Sequence, residues 1–184
     1  MKRVVITGQG TINSLGRSVA ETLEGFREGR CGISNLEFQD VDRLSIKIGG
    51  QVKNYDPERD FNRQQIALYD RYTQFTMLAA REAMDQCGLT FSGELAERSG
   101  VVLGTAGGGM TTQDENYRSV YEDGKNRVHP FVVPKLMNNA AASHVSMQYN
   151  LKGPSFTVST ACASSNHAMA QAFAMVRSGM APAM

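Results

Sequence analysis

Residues 153–179 read GPSFTVSTACASSNHAMAQAFAMVRSG, and the way this run folds decides the rest. Gly153-Pro154 marks a turn, and the β-branched alternation from Phe156 to Thr160 predicts a short strand. Ala163 to Ser178 follows without an intervening loop and predicts a helix stopped by Gly179. Arg177 is the one charged residue of that helix, which is otherwise small or apolar, so its expected place is a protein interior. Cys162 falls on the seam between strand and helix. The first N–H groups of a helix lack intrahelical partners and carry partial positive charge. A thiol placed there ionises more easily, and the same N–H groups can stabilise an oxyanion. The seam suits a nucleophile that carries an acyl group. A free cysteine is also often just a small buried hydrophobe, and position alone leaves both readings open.

Bulk properties narrow the classes. A chain of 184 residues can form one ordinary domain with a sizeable core. With 41% apolar and 20% charged residues it has the composition of a soluble globular protein. A net charge of +1 gives no expectation of nucleic acid or an anionic membrane as partner. No run approaches the length of a membrane span. Met1-Lys2-Arg3 precedes Val4-Val5-Ile6, but the apolar run stops at Thr7-Gly8, short of a secretion signal, so a first strand and a cytoplasmic location are expected. Cys31, Cys87 and Cys162 form neither a disulfide framework nor a metal-binding pattern, and no metal is expected.

Working outward from residue 153, the chain alternates strand and helix. Val4–Thr7 reads as a buried-type strand. Gly8-Gln9-Gly10 lacks the third glycine and the following helix of a nucleotide loop, so no nucleotide site is expected. Ser18 and Glu21 form a capping box for a helix that Gly29 ends. Leu44–Val52 reads as a strand with a glycine break at Gly49-Gly50, and Asp56-Pro57 as a loop. Gln64 to Cys87 predicts the longest helix, with Leu68, Tyr72, Phe75, Ala79 and Ala83 on its apolar stripe and Gly88 as its stop. Arg71 and Glu82 project within about 60° of that stripe and are expected to pair or snorkel at its edge. Ser99–Gly104 is a buried-type strand, Thr105–Gly109 a glycine-rich turn, and Thr111–Glu122 a helix. Pro130 and Pro134 bracket an extended Phe131-Val132-Val133, and a helix follows from Met137 to Gln148. The pattern is α/β.

Val158 to Ser165, preceded by Gly153-Pro154-Ser155, resembles the nucleophile segment of the β-ketoacyl-acyl-carrier-protein synthases. These are condensing enzymes of the thiolase superfamily. The opening VVITGQGTINSLG, the helix over 64–87, the turn at 104–109 and the HPFVVP segment occur in that family's order, so the resemblance covers essentially the whole chain. It is closest to the elongating synthase II type, and it implies the thiolase fold of αβαβα layers.

The resemblance also implies that residues 1–184 form the N-terminal half only, a β-ketoacyl synthase domain truncated before its C-terminal half. Two histidines complete the family's catalytic cysteine, and both are implied to lie past Met184. His129, His144 and His167 match neither position. On a helix His167 points about 140° away from Cys162, and all three are expected to be structural or surface residues.

The implied reaction is the synthesis of a 3-oxoacyl chain on acyl carrier protein. Cys162 takes an acyl group from phosphopantetheine, and malonyl-carrier protein then condenses with it as carbon dioxide leaves. No metal or redox cofactor is implied. At Gly107 relatives often carry a larger gate residue, and at Val132 an aromatic residue reaching across the dimer; both departures suggest a roomier acyl pocket. Arg63, Lys125, Arg127 and Lys135 are candidates for docking the acidic carrier. A homodimer is implied, and the 184-residue chain alone is expected to be inactive. Alternatives are a non-catalytic chain-length-factor-like heterodimer partner, a polyketide-type ketosynthase, or an unrelated cysteine hydrolase.

Overall fold

A computed structural model describes residues 2–184. Its elements, in chain order, are α1 (Val19–Arg27), β1 (Ile33–Asn35), β2 (Ile48–Gly50), α2 (Arg63–Leu68), α3 (Arg71–Cys87), α4 (Gly93–Arg98), β3 (Val101–Gly104), α5 (Met110–Tyr121), α6 (Val132–Leu136), α7 (Ala140–Gln148), β4 (Ser155–Val158) and α8 (Ser164–Ser178). Short 3₁₀ turns lie at Val41–Arg43 and Pro57–Arg59. No helix among the described residues is long and apolar enough to cross a membrane. The chain divides into two compact units, and the end of α3 belongs to the smaller one.

The smaller unit comprises residues 7–60 and 78–88. Ser18 caps α1 as expected, its Oγ accepting from the Glu21 N–H at 3.1 Å. The capping box does not close on Ser18, because Glu21 Oε2 accepts from Arg17 N–H instead. Glu82 does more than sit at a stripe edge. Its two carboxylate oxygens accept from Thr11 N–H (3.0 Å) and Val19 N–H (2.8 Å), so α3 caps α1 from outside. The glycines of Gly8-Gln9-Gly10 serve packing: a Cβ on either would stand 2.0 or 1.9 Å from the carbonyl oxygens of Ala83 and Ala79. β1 and β2 pair antiparallel with Ser34 opposite Gly49. The expected strand over 44–52 shrinks to Ile48–Gly50, and the glycines lie inside it rather than breaking it.

The larger unit comprises residues up to Ile6, 61–77 and 89–184. β3 and β4 pair in parallel, Val101 opposite Ser155 and Gly104 opposite Val158. The strands are joined through helices, as parallel pairs require. α7 packs on both strands and α8 on β3 above all. Ala140, Ala141, Ala142, Val145, Leu151 and Ala168 form the buried apolar layer. These are small side chains, so helices approach the two strands closely.

Six expectations fail here. Residues 4–7 make no strand: Val5 and Ile6 are exposed, and no neighbouring strand offers them a ladder among the described residues. The helix over 64–87 is two helices, broken where Tyr69 turns extended. Its buried face is Thr73, Gln74 and Met77 rather than the apolar stripe centred on Tyr72 and Phe75. Phe131-Val132-Val133 is not extended; α6 starts at Val132, and Pro134 falls in its first turn, where no intrahelical N–H is needed. β4 stops at Val158, so a five-residue turn, 159–163, separates it from α8. Finally, α8 is far from fully buried: Ser164 and Ala168 are its buried residues, while Met169 and Phe173 are exposed. One face meets β3, and no element among the described residues covers the other.

Candidate active site

Because β3 and β4 run parallel, the segments leaving their C-terminal ends emerge side by side. From β3 comes the glycine turn 105–109, and from β4 the turn 159–163 that carries Cys162. Thr105 N–H donates to Val158 O at 3.1 Å and ties the two together. Such a carboxyl edge is where α/β folds place their ligands.

The Cys162 turn is tightly built. Ala161, just before it, has a left-handed φ of 48°, a conformation costing a non-glycine residue about 1 kcal/mol or more. Buried Ser164 holds it there, because its Oγ accepts from Thr160 N–H (2.9 Å) and donates to Ala161 O (2.7 Å). Ala163 N–H and Ser164 N–H close back on Thr160 O and Ala161 O. The result is a sharp corner with Cys162 exposed at its tip. Among the described residues, the N–H groups of Cys162, Ser165 and Asn166 have no acceptor at this end of α8. They are the free donors that an oxyanion at Cys162 needs. A cleft of about 330 Å³ runs on from Ser165 between β3 and α8, lined in part by Leu103, Met169 and Met184.

Gly107 stands in the neighbouring turn. Its φ is outside the left-handed region, and a Cβ there would meet only Met110 Sδ at 3.3 Å and Cγ at 3.6 Å. Met110 is exposed and its unbranched side chain can adjust, so nothing in the backbone demands glycine at 107. The next two positions differ. A Cβ on Gly108 would lie 2.4 Å from Leu136 O, and one on Gly109 2.6 Å from Leu136 Cα. A Gly107→Ile variant of the full-length protein is therefore expected to fold normally and to fill space at the site. Its kcat/KM for long acyl groups should fall about tenfold relative to short ones, as one or more extra methylenes in a pocket allow. Chain-length profiling checks this; an unchanged profile means that residue 107 does not face the acyl group.

Val132 lies farther off. It begins α6, while the other end of that helix, at Leu136, is what accepts from Gly109 N–H at 2.9 Å. The structure thus brings Cys162 and the Gly107 turn together and leaves Val132 outside that junction.

None of the histidines bonds to Cys162 among the described residues. His167 is exposed on α8 beside Gln171, and His129 Nδ1 accepts from Phe131 N–H at 3.2 Å. His144 is half-buried with its ring 4.5 Å from that of Tyr69, and burial pushes its pKa below the usual 6.5. Its neutral form is the one the fold favours, so stability is present above 6.5 and falls as pH drops through the folded value. Acidification from pH 7 to 5 should lower the Tm of the wild type more than that of His144→Phe, measured by circular dichroism. Equal acid sensitivity would remove His144 from the account.

Three residues of this region escape a reading of the chain. Ser164 is the lock of the Cys162 corner. Asp70 and Tyr72, remote in sequence, bond to the helices behind it. The one available signal was Asp70 itself, a residue type that caps helices standing inside a helical run.

A cysteine at a strained turn, between a parallel strand and the free N–H groups of a helix, is an arrangement that suits an activated thiol. Residues 1–184 match the family described as "Beta-ketoacyl synthase, N-terminal domain", and the chain belongs to that family. It is 41% identical over 183 residues to nodulation protein E of Rhizobium leguminosarum bv. trifolii, covering 100% of this chain and 45% of that protein. It is 36% identical to 3-oxoacyl-[acyl-carrier-protein] synthase 2 of Staphylococcus aureus (strain N315), covering 100% of this chain and 44% of that protein. The solved structure of the ishigamide ketosynthase/chain length factor superposes with a TM-score of 0.85 at 26% identity, over 96% of this chain and 44% of that one. The fold is α/β of the thiolase type. The chain spans about half the length of the relatives it matches.

Proposed function

We propose that this chain is the N-terminal half of a 3-oxoacyl-[acyl-carrier-protein] synthase and that Cys162 is its nucleophile. The observation that carries this reading is the corner at 160–164, which presents an exposed thiol beside three free N–H groups.

The thiolate of Cys162 attacks the carbonyl carbon of an acyl thioester on the phosphopantetheine of acyl carrier protein. The C–S bond to phosphopantetheine breaks, and the acyl group stays on Cys162. Through the tetrahedral stage the Cys162 N–H faces the oxyanion. Malonyl-carrier protein then binds and loses carbon dioxide, and the electron pair of the broken C–C bond forms an enolate. The enolate carbon attacks the Cys162 thioester and expels the thiolate, leaving a 3-oxoacyl chain longer by two carbons on the carrier. The two histidines that stabilise the enolate belong to the other half of the family's length, so the 184 residues alone should not condense.

Under this reading no metal or redox cofactor takes part. The partner is acyl carrier protein, the enzyme is a homodimer, and it works in the cytoplasm alongside a soluble carrier. Gly107, and more remotely Val132, shape the acyl pocket. Retention of Cys162 weighs against a non-catalytic chain-length-factor-like partner, and the lack of a histidine bonded to it among the described residues weighs against a hydrolase.

The test uses full-length protein with acyl-carrier protein, followed by mass spectrometry of the Cys162 peptide. An acyl adduct there, discharged as 3-oxoacyl product when malonyl-carrier protein is added, is the expected result. Free fatty acid released without malonyl dependence would identify a hydrolase instead. Repeated rounds on one carrier would identify the polyketide type.

A further inference from the structure

Two helices that border the site begin at residues unable to cap them. α5 starts after Gly109, which has no side chain, and α7 after Asn139, whose side chain makes no capping bond. Both caps arrive from the start of α3, where Asp70 immediately precedes the helix and Tyr72 lies in its first turn. Asp70, nearly fully buried, accepts from Thr112 N–H with Oδ2 at 2.7 Å, at the third residue of α5. Its Oδ1 accepts from Tyr72 N–H at 3.1 Å, at the start of α3 itself. The Tyr72 hydroxyl accepts from Ala141 N–H at 3.2 Å, in the first turn of α7, and donates to Met137 O at 2.5 Å. Burial pushes the Tyr72 pKa up, which keeps this hydroxyl a donor.

These bonds bear on the site because of what lies between them. The Gly107 turn runs directly into α5, and a Cβ on Gly109 would stand 3.1 Å from Asp70 Oδ2. The link between α6 and α7 reaches the site too, since Asn138 O accepts from Thr157 Oγ1 of β4 at 3.4 Å. Charge-assisted bonds of this kind are the strong ones, and a buried carboxylate satisfied by N–H donors is stiff. We infer that Asp70 and Tyr72 are positioning residues for the acyl site: together they fix the Gly107 turn and the 137–141 link, and so set which acyl chains Cys162 accepts. Neither touches the reacting atoms. The inference rests on the condensing-enzyme reading and adds the residues that hold its pocket wall.

Asp70→Asn separates the two caps. One amide oxygen replaces two carboxylate oxygens, so one N–H keeps an acceptor and the other faces an NH₂ donor. Tyr72→Phe removes the second clamp with little loss of volume. Full-length wild type, both variants and Ser18→Ala, which uncaps α1 in the other unit, would be compared on octanoyl- and palmitoyl-carrier protein. The octanoyl-to-palmitoyl ratio of kcat/KM should shift about tenfold in both variants, through KM more than kcat. Alkylation of Cys162 by iodoacetamide, and the ratio in Ser18→Ala, should stay within twofold of wild type, roughly the scatter of a surface change. If Asp70→Asn does not fold, Tyr72→Phe carries the test. Variants that fold and load with the wild-type ratio overturn the positioning role alone. A wild type that loads no acyl group overturns the condensing-enzyme reading, and this inference falls with it.

Discussion

Cys162→Ala in the full-length protein will take up no acyl mass from acyl-carrier protein, and its condensation rate will drop on the order of 10⁴-fold or more, as when other covalent catalysts lose their nucleophile. The methyl group of alanine cannot attack a thioester. Stability should barely move, because the corner is held by Ser164 and the Ala161 backbone rather than by the thiol; changes that touch no such feature usually lie within about 0.5 kcal/mol. Cys162→Ser sharpens the result. It keeps shape and hydrogen bonding, but a hydroxyl at the same corner is a far weaker nucleophile than a thiol. It should load acyl groups far more slowly than wild type while melting at the same temperature. Intact-protein mass and thermal melting of the three proteins decide it. An acyl adduct on the alanine variant would move the nucleophile elsewhere.

What the chain revealed on reading, and what it hid, divides along the range of the interactions. Ser18 capping α1 and Gly179 ending α8 are settled by residues a few positions apart. Local chemistry writes such features into the sequence. The break at Tyr69-Asp70 is different. Within a helical run Asp70 looks like one more polar residue, and it leaves the helix because Thr112, far along the chain, needs its carboxylate. Glu82 likewise caps α1 across more than sixty positions, and nothing in its own neighbourhood announces it. Val132 was misread for a local reason: prolines on either side of a segment suggest an extended run, yet proline is equally at home in the first turn of a helix. For the site, Cys162 was legible as a helix-head thiol, whereas the left-handed Ala161 is a backbone fact with no residue signature, and Ser164, one of several serines in the run, locks the corner only once that turn is formed. Alanine is not a residue that advertises a positive φ.

Gly107 and Gly104 sit at either side of the Thr105-Ala106 start of the turn, and they are predicted to respond oppositely to the same added methyl. On Gly107 a Cβ would meet only the exposed Met110 side chain, so Gly107→Ala should change stability by no more than about 0.5 kcal/mol. On Gly104 it would meet the backbone of α8 itself, Ser164 O at 2.2 Å, Ser164 C at 2.4 Å and Ser165 N at 2.7 Å. No rotamer can relieve that. Either β3 or the first turn of α8 must move by about an ångström, and overpacking of this kind costs about 3 kcal/mol or more. Gly104 also faces Val158 in the parallel ladder, so retreat of β3 would disturb β4 directly below the Cys162 corner. A shift of that size in the free N–H groups of α8 would slow acyl loading about 100-fold even where the protein still folds. Urea denaturation midpoints and acyl-loading rates of Gly104→Ala and Gly107→Ala, compared in full-length protein, test both halves of the argument. If the two variants are equally stable and load equally fast, α8 does not approach β3 as closely as described, and the free N–H groups at the head of α8 must be held in place by something other than this contact.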